Sequence, residues 1–197
     1  AVLLGTAALV VAPWTIRNAM VEGVFIPVTS SGGYNVYAGN NAAASGWHHV
    51  PERVDISTDP NGHRFVERQL GRTLTSSEVS SFWRDKALRW IGEHPGDAFA
   101  LLARKAVLFF HFSEIDQIGL SAAFIAKEYG SILALPLPSF AVLLLLALVG
   151  AGAAYRERYD VRLPALFFLA FFLSTVVFFV NCRLRIPVLP VLALFAG

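Results

Sequence analysis

Two apolar runs near the C-terminus, residues 132–155 and 163–180, contain no Asp, Glu, Lys or Arg. A chain carrying such runs must either bury them in a core or place them in lipid, because water disfavours that much apolar surface. A spanning helix needs about 20 mostly apolar residues. Both runs come near that length, so helices crossing a bilayer are expected at 132–155 and 163–181. The apolar ends, 1–13 and 188–197, are shorter and read as truncated spans, which makes the chain a fragment at both ends. Composition agrees: 55% of the 197 residues are hydrophobic and 15% are charged, against about 25% charged in an ordinary soluble domain.

Charge placement sets the expected topology. The loop 156–162, "RERYDVR", holds three arginines in seven residues and is cytoplasmic by the positive-inside rule. Segment 14–131 and the short loop 182–187 then face the outer side. Segment 14–131 contains eleven Lys/Arg and twelve Asp/Glu, a net of −1, so no basic face for nucleic acid is present. The stretch 97–112, "DAFALLARKAVLFFHF", could itself cross, but Arg104 and Lys105 at its middle would each cost about 2.5 to 3.5 kcal/mol. Asp97, Arg104 and His111 recur every seven residues as one polar stripe. A helix lying in the outer membrane interface is therefore expected there. The fold class that follows is mainly α, a polytopic transmembrane helical protein whose ordered extracytoplasmic segment contains amphipathic helices.

Within that segment, "TSSEVSSFWRDKALRWIGEHP" opens with a capping box, Thr75 to Glu78. It repeats apolar residues at helical spacing through Val79, Phe82, Trp83, Ala87, Trp90 and Ile91, and stops near Gly92 and Pro95. "GVFIPVTSSGGYNVYAGNNAAASGW" mixes short β-type runs with Gly, Asn and Ser and reads as an ordered loop with a hairpin.

The residues that could carry chemistry lie mostly at the membrane edge. Arg183 and Arg185 in "NCRLRIP" share one face if the chain is extended and can grip one oxyanion through bidentate hydrogen bonds. The alternative is a pair of arginines touching lipid phosphates. In "PWTIRN", 13–18, Pro13 is expected to end or kink the first helix before Arg17 and Asn18, with Trp14 as interface anchor. In "GGYNVYAGNN", 32–41, Tyr34, Asn35, Asn40 and Asn41 can bind sugar hydroxyls or build turns. His48 and His49 face opposite ways on an extended chain, and His63, His94 and His111 lack ligand spacing. Glu114 and Asp116 are a polar pair either beside a substrate or at a water-exposed helix end. No G-x-S-x-G, Walker A or H-E-x-x-H motif occurs, so neither a metal nor a cofactor is expected. The lone Cys182 excludes an internal disulfide.

"PWTIRN", "VFIPVTSSGGYNVYAGNN", "HPGDAFALLARKAVLFF" and "RLRIPVLPVLALFAG", in that order along nearly the whole chain, resemble the C-terminal half of the polytopic glycosyltransferases of the GT-C superfamily. The similarity is to bacterial relatives of the dolichyl-phosphate-mannose protein mannosyltransferases and of the lipid A aminoarabinose transferase. It implies inverting transfer of a sugar from a polyprenyl-phosphate donor to a lipid, glycan or protein acceptor, on the extracytoplasmic face of a bacterial inner or plasma membrane. It also implies that Arg183 and Arg185, as the family's R-x-R-x-P element, sit near the lipid-linked donor. Leu184 stands where the family often has tyrosine, and the family's catalytic aspartate would lie upstream of Ala1. Two other classes fit the residues: a transporter or flippase of an anionic lipid or sugar, and a noncatalytic membrane scaffold. The first predicts charges inside the apolar runs, where there are none. The second predicts that lysine can replace Arg183 and Arg185.

Overall fold

The computed structural model describes residues 2–26, 28–48, 50, 54, 55, 57–111 and 140–197. These fall into two units, Ala1–Ala42 with His49–Pro95 and Ala43–His48 with Gly96–Gly197.

Among the described residues the first unit contains four helices: α1 (Val2–Glu22), α2 (Gly32–Gly39), α3 (His63–Leu70) and α4 (Ser76–Glu93). The capping box expected at the start of α4 is present. Thr75 accepts the Glu78 backbone N–H, and the Glu78 carboxylate accepts the Thr75 N–H at 2.8 Å. Glu22, at the end of α1, accepts both the N–H and the hydroxyl of Ser76, at 3.2 and 2.9 Å, which ties the two helix ends together. Apolar residues of α4 turn inward, and Trp83 becomes the centre of the unit. It is fully buried, donates its indole N–H to the Asn61 carbonyl at 3.0 Å, and meets Tyr34, Tyr37, Phe65 and Phe82 with ring centroids 4.8 to 5.8 Å apart. Rings at such spacings contribute beyond the area they bury.

Two readings from the sequence are corrected here. The segment expected as a loop with a hairpin forms helix α2, which packs along α4. Pro13 does not end α1, which continues through it to Glu22. Proline removes one backbone donor, and the Thr15 hydroxyl bonds back to the Val11 carbonyl at 3.3 Å beside it.

The second unit contains α5 (Pro95–Phe109, with its first residue in the first unit), α6 (Phe140–Arg156), α7 (Arg162–Val177), the one-turn α8 (Cys182–Arg185), a 3-10 turn at Ile186–Val188 and α9 (Leu189–Ala196). Helix α9 packs along α6. Phe109, Phe140, Ala147, Val180, Val188 and Leu192 form the buried centre.

The expected polytopic transmembrane fold is not found. Among the described residues no helix is long and apolar enough to cross a membrane. Helix α6 has 17 residues and α7 has 16; at 1.5 Å per residue they reach about 25 Å, short of a hydrocarbon core of about 30 Å. Residues 132–139 of the first expected span lie outside the described residues. The second, 163–181, breaks at Phe178 because the chain beyond it pairs with a segment far away in sequence. Val180 leaves the helix to donate its N–H to the Gly46 carbonyl at 2.9 Å and to bridge Trp47 in parallel. Asn181 then caps α8 by accepting the Arg183 N–H at 3.0 Å. Helix α1 is longer, at 21 residues, but it carries Arg17, Asn18 and Glu22 in its second half, so its apolar part stops early.

Gly33 supplies the closest approach in the first unit. Its N–H donates to the Ser80 hydroxyl at 3.0 Å, and a Cβ at this position would run into the Ser80 backbone carbonyl. Helix propensity alone favours alanine over glycine by about 1 kcal/mol. The collision with backbone reverses the sign, and overpacking of this kind costs about 1 to 3 kcal/mol. Gly33→Ala should therefore destabilise the unit in urea titrations followed by Trp fluorescence; a stabilised variant would show that α2 and α4 do not pack this closely.

Candidate functional site

The arginine pair picked out in the sequence is split by local structure. Residues 182–185 are helical, not extended, and positions two apart on a helix differ by about 200°. Arg183 therefore lies on the exposed side of α8. Arg185 points into the protein and is 3% exposed.

Arg185 closes the end of α5. Its Nη1 donates to the Phe109 carbonyl at 3.4 Å and to the His111 carbonyl at 2.9 Å. These are carbonyls that the end of a helix leaves without an intrahelical partner. A cation there also meets the negative end of the helix dipole, an effect worth up to about 2 kcal/mol when partly buried. The guanidinium carbon lies 4.8 Å from the centre of the Phe140 ring, within cation–π range. Phe140 in turn abuts Phe109, with ring centres 5.6 Å apart, and Phe109 also meets Phe168 and Phe172 at 6.0 and 5.1 Å. The double grip on one oxyanion expected from an extended R-x-R is thus corrected to one anchored arginine and one presented arginine.

The strip 43–48 braces the same region. Gly46 adopts φ +97, a conformation that favours glycine, and a Cβ there would push aside the Leu108 side-chain tip on α5, 2.7 Å away. Trp47 pairs with Val180, and the His48 ring sits edge-on to Phe179 at 4.8 Å.

The remaining candidates serve the framework of the first unit. Asn18 is buried and donates to the carbonyls of Ile26 and Val28 at 3.4 and 3.1 Å. Arg17 is exposed, donates to Asn18 Oδ1 at 3.3 Å and lies over Trp14 at 5.8 Å. Tyr34 packs in the core against Trp83, where burial, with the nearby Asp59 charge second, pushes its phenol up to about 12. Asn35 is half-buried on α2. Asn40 and Asn41 bond back to the carbonyls of Val36 and Tyr37 at 2.8 and 2.7 Å, closing the end of α2. Tyr34 is thus buried in the core, and Asn40 and Asn41 use amide N–H groups to close the end of α2. Glu114 and Asp116 lie outside the described residues. Among the described residues no group of three or more His, Cys, Asp or Glu side chains is placed to hold a metal.

Lys105 was missed. On α5 the polar stripe of Asp97 and Arg104 is exposed, but the buried stripe is Leu101, Lys105 and Phe109, spaced four apart. Lys105 is 0% exposed, and burial pushes its amine down to about 8. Four-residue spacing between two apolar residues is the signal for it in the sequence, and the seven-residue polar stripe through the adjacent Arg104 masks that signal. The interfacial stretch is accordingly a helix, but its two adjacent basic residues point to different surroundings.

The buried amine has a pH consequence. Its folded value of about 8 lies below the unfolded 10.5, so between those values the unfolded chain holds more protons and stability rises with pH. Urea titrations from pH 7 to 10 should show that rise; Tyr34 opposes it only above about 10, where its unfolded form starts to ionise. In Lys105→Met the rise should flatten, and stability at pH 7 should increase by roughly 1 to 3 kcal/mol. An unchanged slope in the variant would mean that Lys105 is solvated.

No family model, curated protein or solved structure matches the chain.

Proposed function

We propose that this chain takes part in glycosyl transfer from a polyprenyl-phosphate sugar donor at the extracytoplasmic face of a bilayer, and that its own contribution is to hold the donor phosphate at Arg183. The observation that carries the reading is the amphiphilic character of α8 and its edge. The exposed Arg183 guanidinium is followed along the chain by Leu184 and Ile186, which are 36% and 56% exposed. A cation with apolar side chains next to it in the chain suits a phosphate joined to a hydrocarbon tail. The turn that presents it is held at both ends, because Asn181 caps its start and Arg185 anchors its end.

In the reaction an acceptor hydroxyl attacks the anomeric carbon from the face opposite the phosphate and gives up its proton to water. The bond from that carbon to the phosphate oxygen breaks, and polyprenyl phosphate leaves with the electron pair. Negative charge grows on the leaving phosphate, which is already a weak base, so a fixed guanidinium assists departure more than a proton donor would. Lysine keeps the charge but loses the planar fork.

Sugar transfer from a polyprenyl-phosphate donor, with Arg183→Ala and Arg183→Lys compared at equal protein levels, tests the reading. Alanine should lower turnover by a factor of about 100 to 1000, the usual effect of losing one such donor, and lysine should restore part of it. Normal turnover and normal donor binding in Arg183→Ala would remove Arg183 from the reaction.

A further inference from the structure

A second amphiphilic site lies at the other end of α7, away from α8 along the chain. The turn from α6 to α7 surrounds a hollow lined by Tyr155, Arg156, Arg158, Tyr159, Asp160, Val161 and Arg162. Among the lining residues three arginines stand against one aspartate, and with the exposed Glu157 of the same turn the formal charge is +1. The lining carboxylate already has a partner: Asp160 Oδ1 accepts the Arg162 backbone N–H at 3.0 Å at the start of α7. Beside the hollow runs a wholly apolar groove of ≈ 190 Å³ between α6, α7 and α9. Leu148 and Ala151 form one wall, Pro164 and Phe168 a second, and Leu192 and Phe195 the third. Val161 lines both the groove and the hollow, so the apolar and basic parts are continuous. A dry cavity of about 150 Å³ suffices to bind benzene, so the groove has room for a segment of hydrocarbon chain.

We propose that this turn and groove bind an anionic lipid, with its phosphate on Arg156, Arg158 and Arg162 and the first part of its chain in the groove. Neither half alone specifies that ligand; a neutral lipid needs no arginine cluster, and a free phosphate needs no groove. The two tyrosines fit the same role, since an aromatic ring with a polar tip sits well at the boundary between hydrocarbon and head group.

Arg158 adds a second line of support. Helix α6 ends in a Schellman turn: the Tyr159 N–H reaches the Ala154 carbonyl at 2.9 Å and the Arg158 N–H reaches the Tyr155 carbonyl at 3.1 Å. The residue at the left-handed position of that turn is usually glycine. Here it is Arg158, at φ 66, which places an exposed cation at a position where glycine would be more stable. Stability and binding should therefore move in opposite directions when Arg158 is replaced. The proposal does not depend on glycosyl transfer, and Arg183 is left intact throughout its test.

The probe is decyl phosphate below its micelle concentration, titrated calorimetrically into the full chain in a nonionic detergent, with decanol and inorganic phosphate as separate arms. Decyl phosphate should bind at least tenfold more tightly than either. A triple Arg156→Gln, Arg158→Gly, Arg162→Gln variant should lose at least tenfold in that binding, and Ala151→Phe, which fills the groove, should lose a similar factor. Arg158→Gly alone should raise the melting temperature and weaken decyl phosphate at least threefold. Equal binding of decyl phosphate and decanol would show simple partition onto apolar surface and overturn the proposal. Equal binding of inorganic phosphate would overturn the lipid, and unchanged affinity in the triple variant would overturn the site.

Discussion

A buried guanidinium at the end of a helix organises the second unit. Removing an arginine from water costs several kcal/mol, and it is tolerated only where its donors and its charge find compensation. Arg185 finds both in one place, because the carbonyls of Phe109 and His111 accept its hydrogen bonds while the Phe140 ring lies under its plane. The Phe109 ring then carries the packing outward to Phe140, Phe168 and Phe172. Three chain segments distant in sequence meet at this point. Because α8 is only four residues long, fixing Arg185 also fixes the direction in which Arg183 points. The functional reading thus rests on a structural contact made two residues away.

The outer surface of the unit has a different logic. Leu145, Leu148 and Val149 on α6, and Leu163, Leu166 and Leu173 on α7, are more than half exposed apart from neighbours on the same helices that turn inward. Apolar surface on this scale marks a place of interaction. Positive charge stands beside it twice, at Arg183 and at the α6–α7 turn. Phosphate-bearing lipid matches both features, although each site rests on its own residues. The first unit contrasts with this, since its aromatic residues converge on Trp83 and form a core of their own.

Some of this organisation was legible in the sequence. Helix α4 followed directly from Thr75, Glu78 and the periodic apolar residues, because a cap and a repeat are local signals. The helix after Pro95 was also legible. What failed did so for reasons outside the local pattern. Two arginines one residue apart look like one clamp only on an extended chain, and the Asn181 cap that turns this stretch helical had no strong signature beside them. Residues 163–181 read as one helix until Val180 found a partner at Gly46, more than a hundred residues earlier. The Gly- and Asn-rich stretch 32–41 forms a helix because Gly33 can lie against Ser80, a tertiary contact that propensity does not contain. Lys105 hid in an apolar stripe because a lone lysine ordinarily marks the water-facing side.

The central claim is that the two arginines of "RLR" have opposite fates, one anchored inside and one presented outside. Arginine-specific labelling with phenylglyoxal, read residue by residue by mass spectrometry on the folded protein, tests this most directly. Arg183 should be modified at the rate of an exposed side chain, and Arg185 should be protected until denaturant unfolds the second unit. Equal labelling of both in the folded protein would contradict the account, because it would mean that Arg185 does not hold the end of α5.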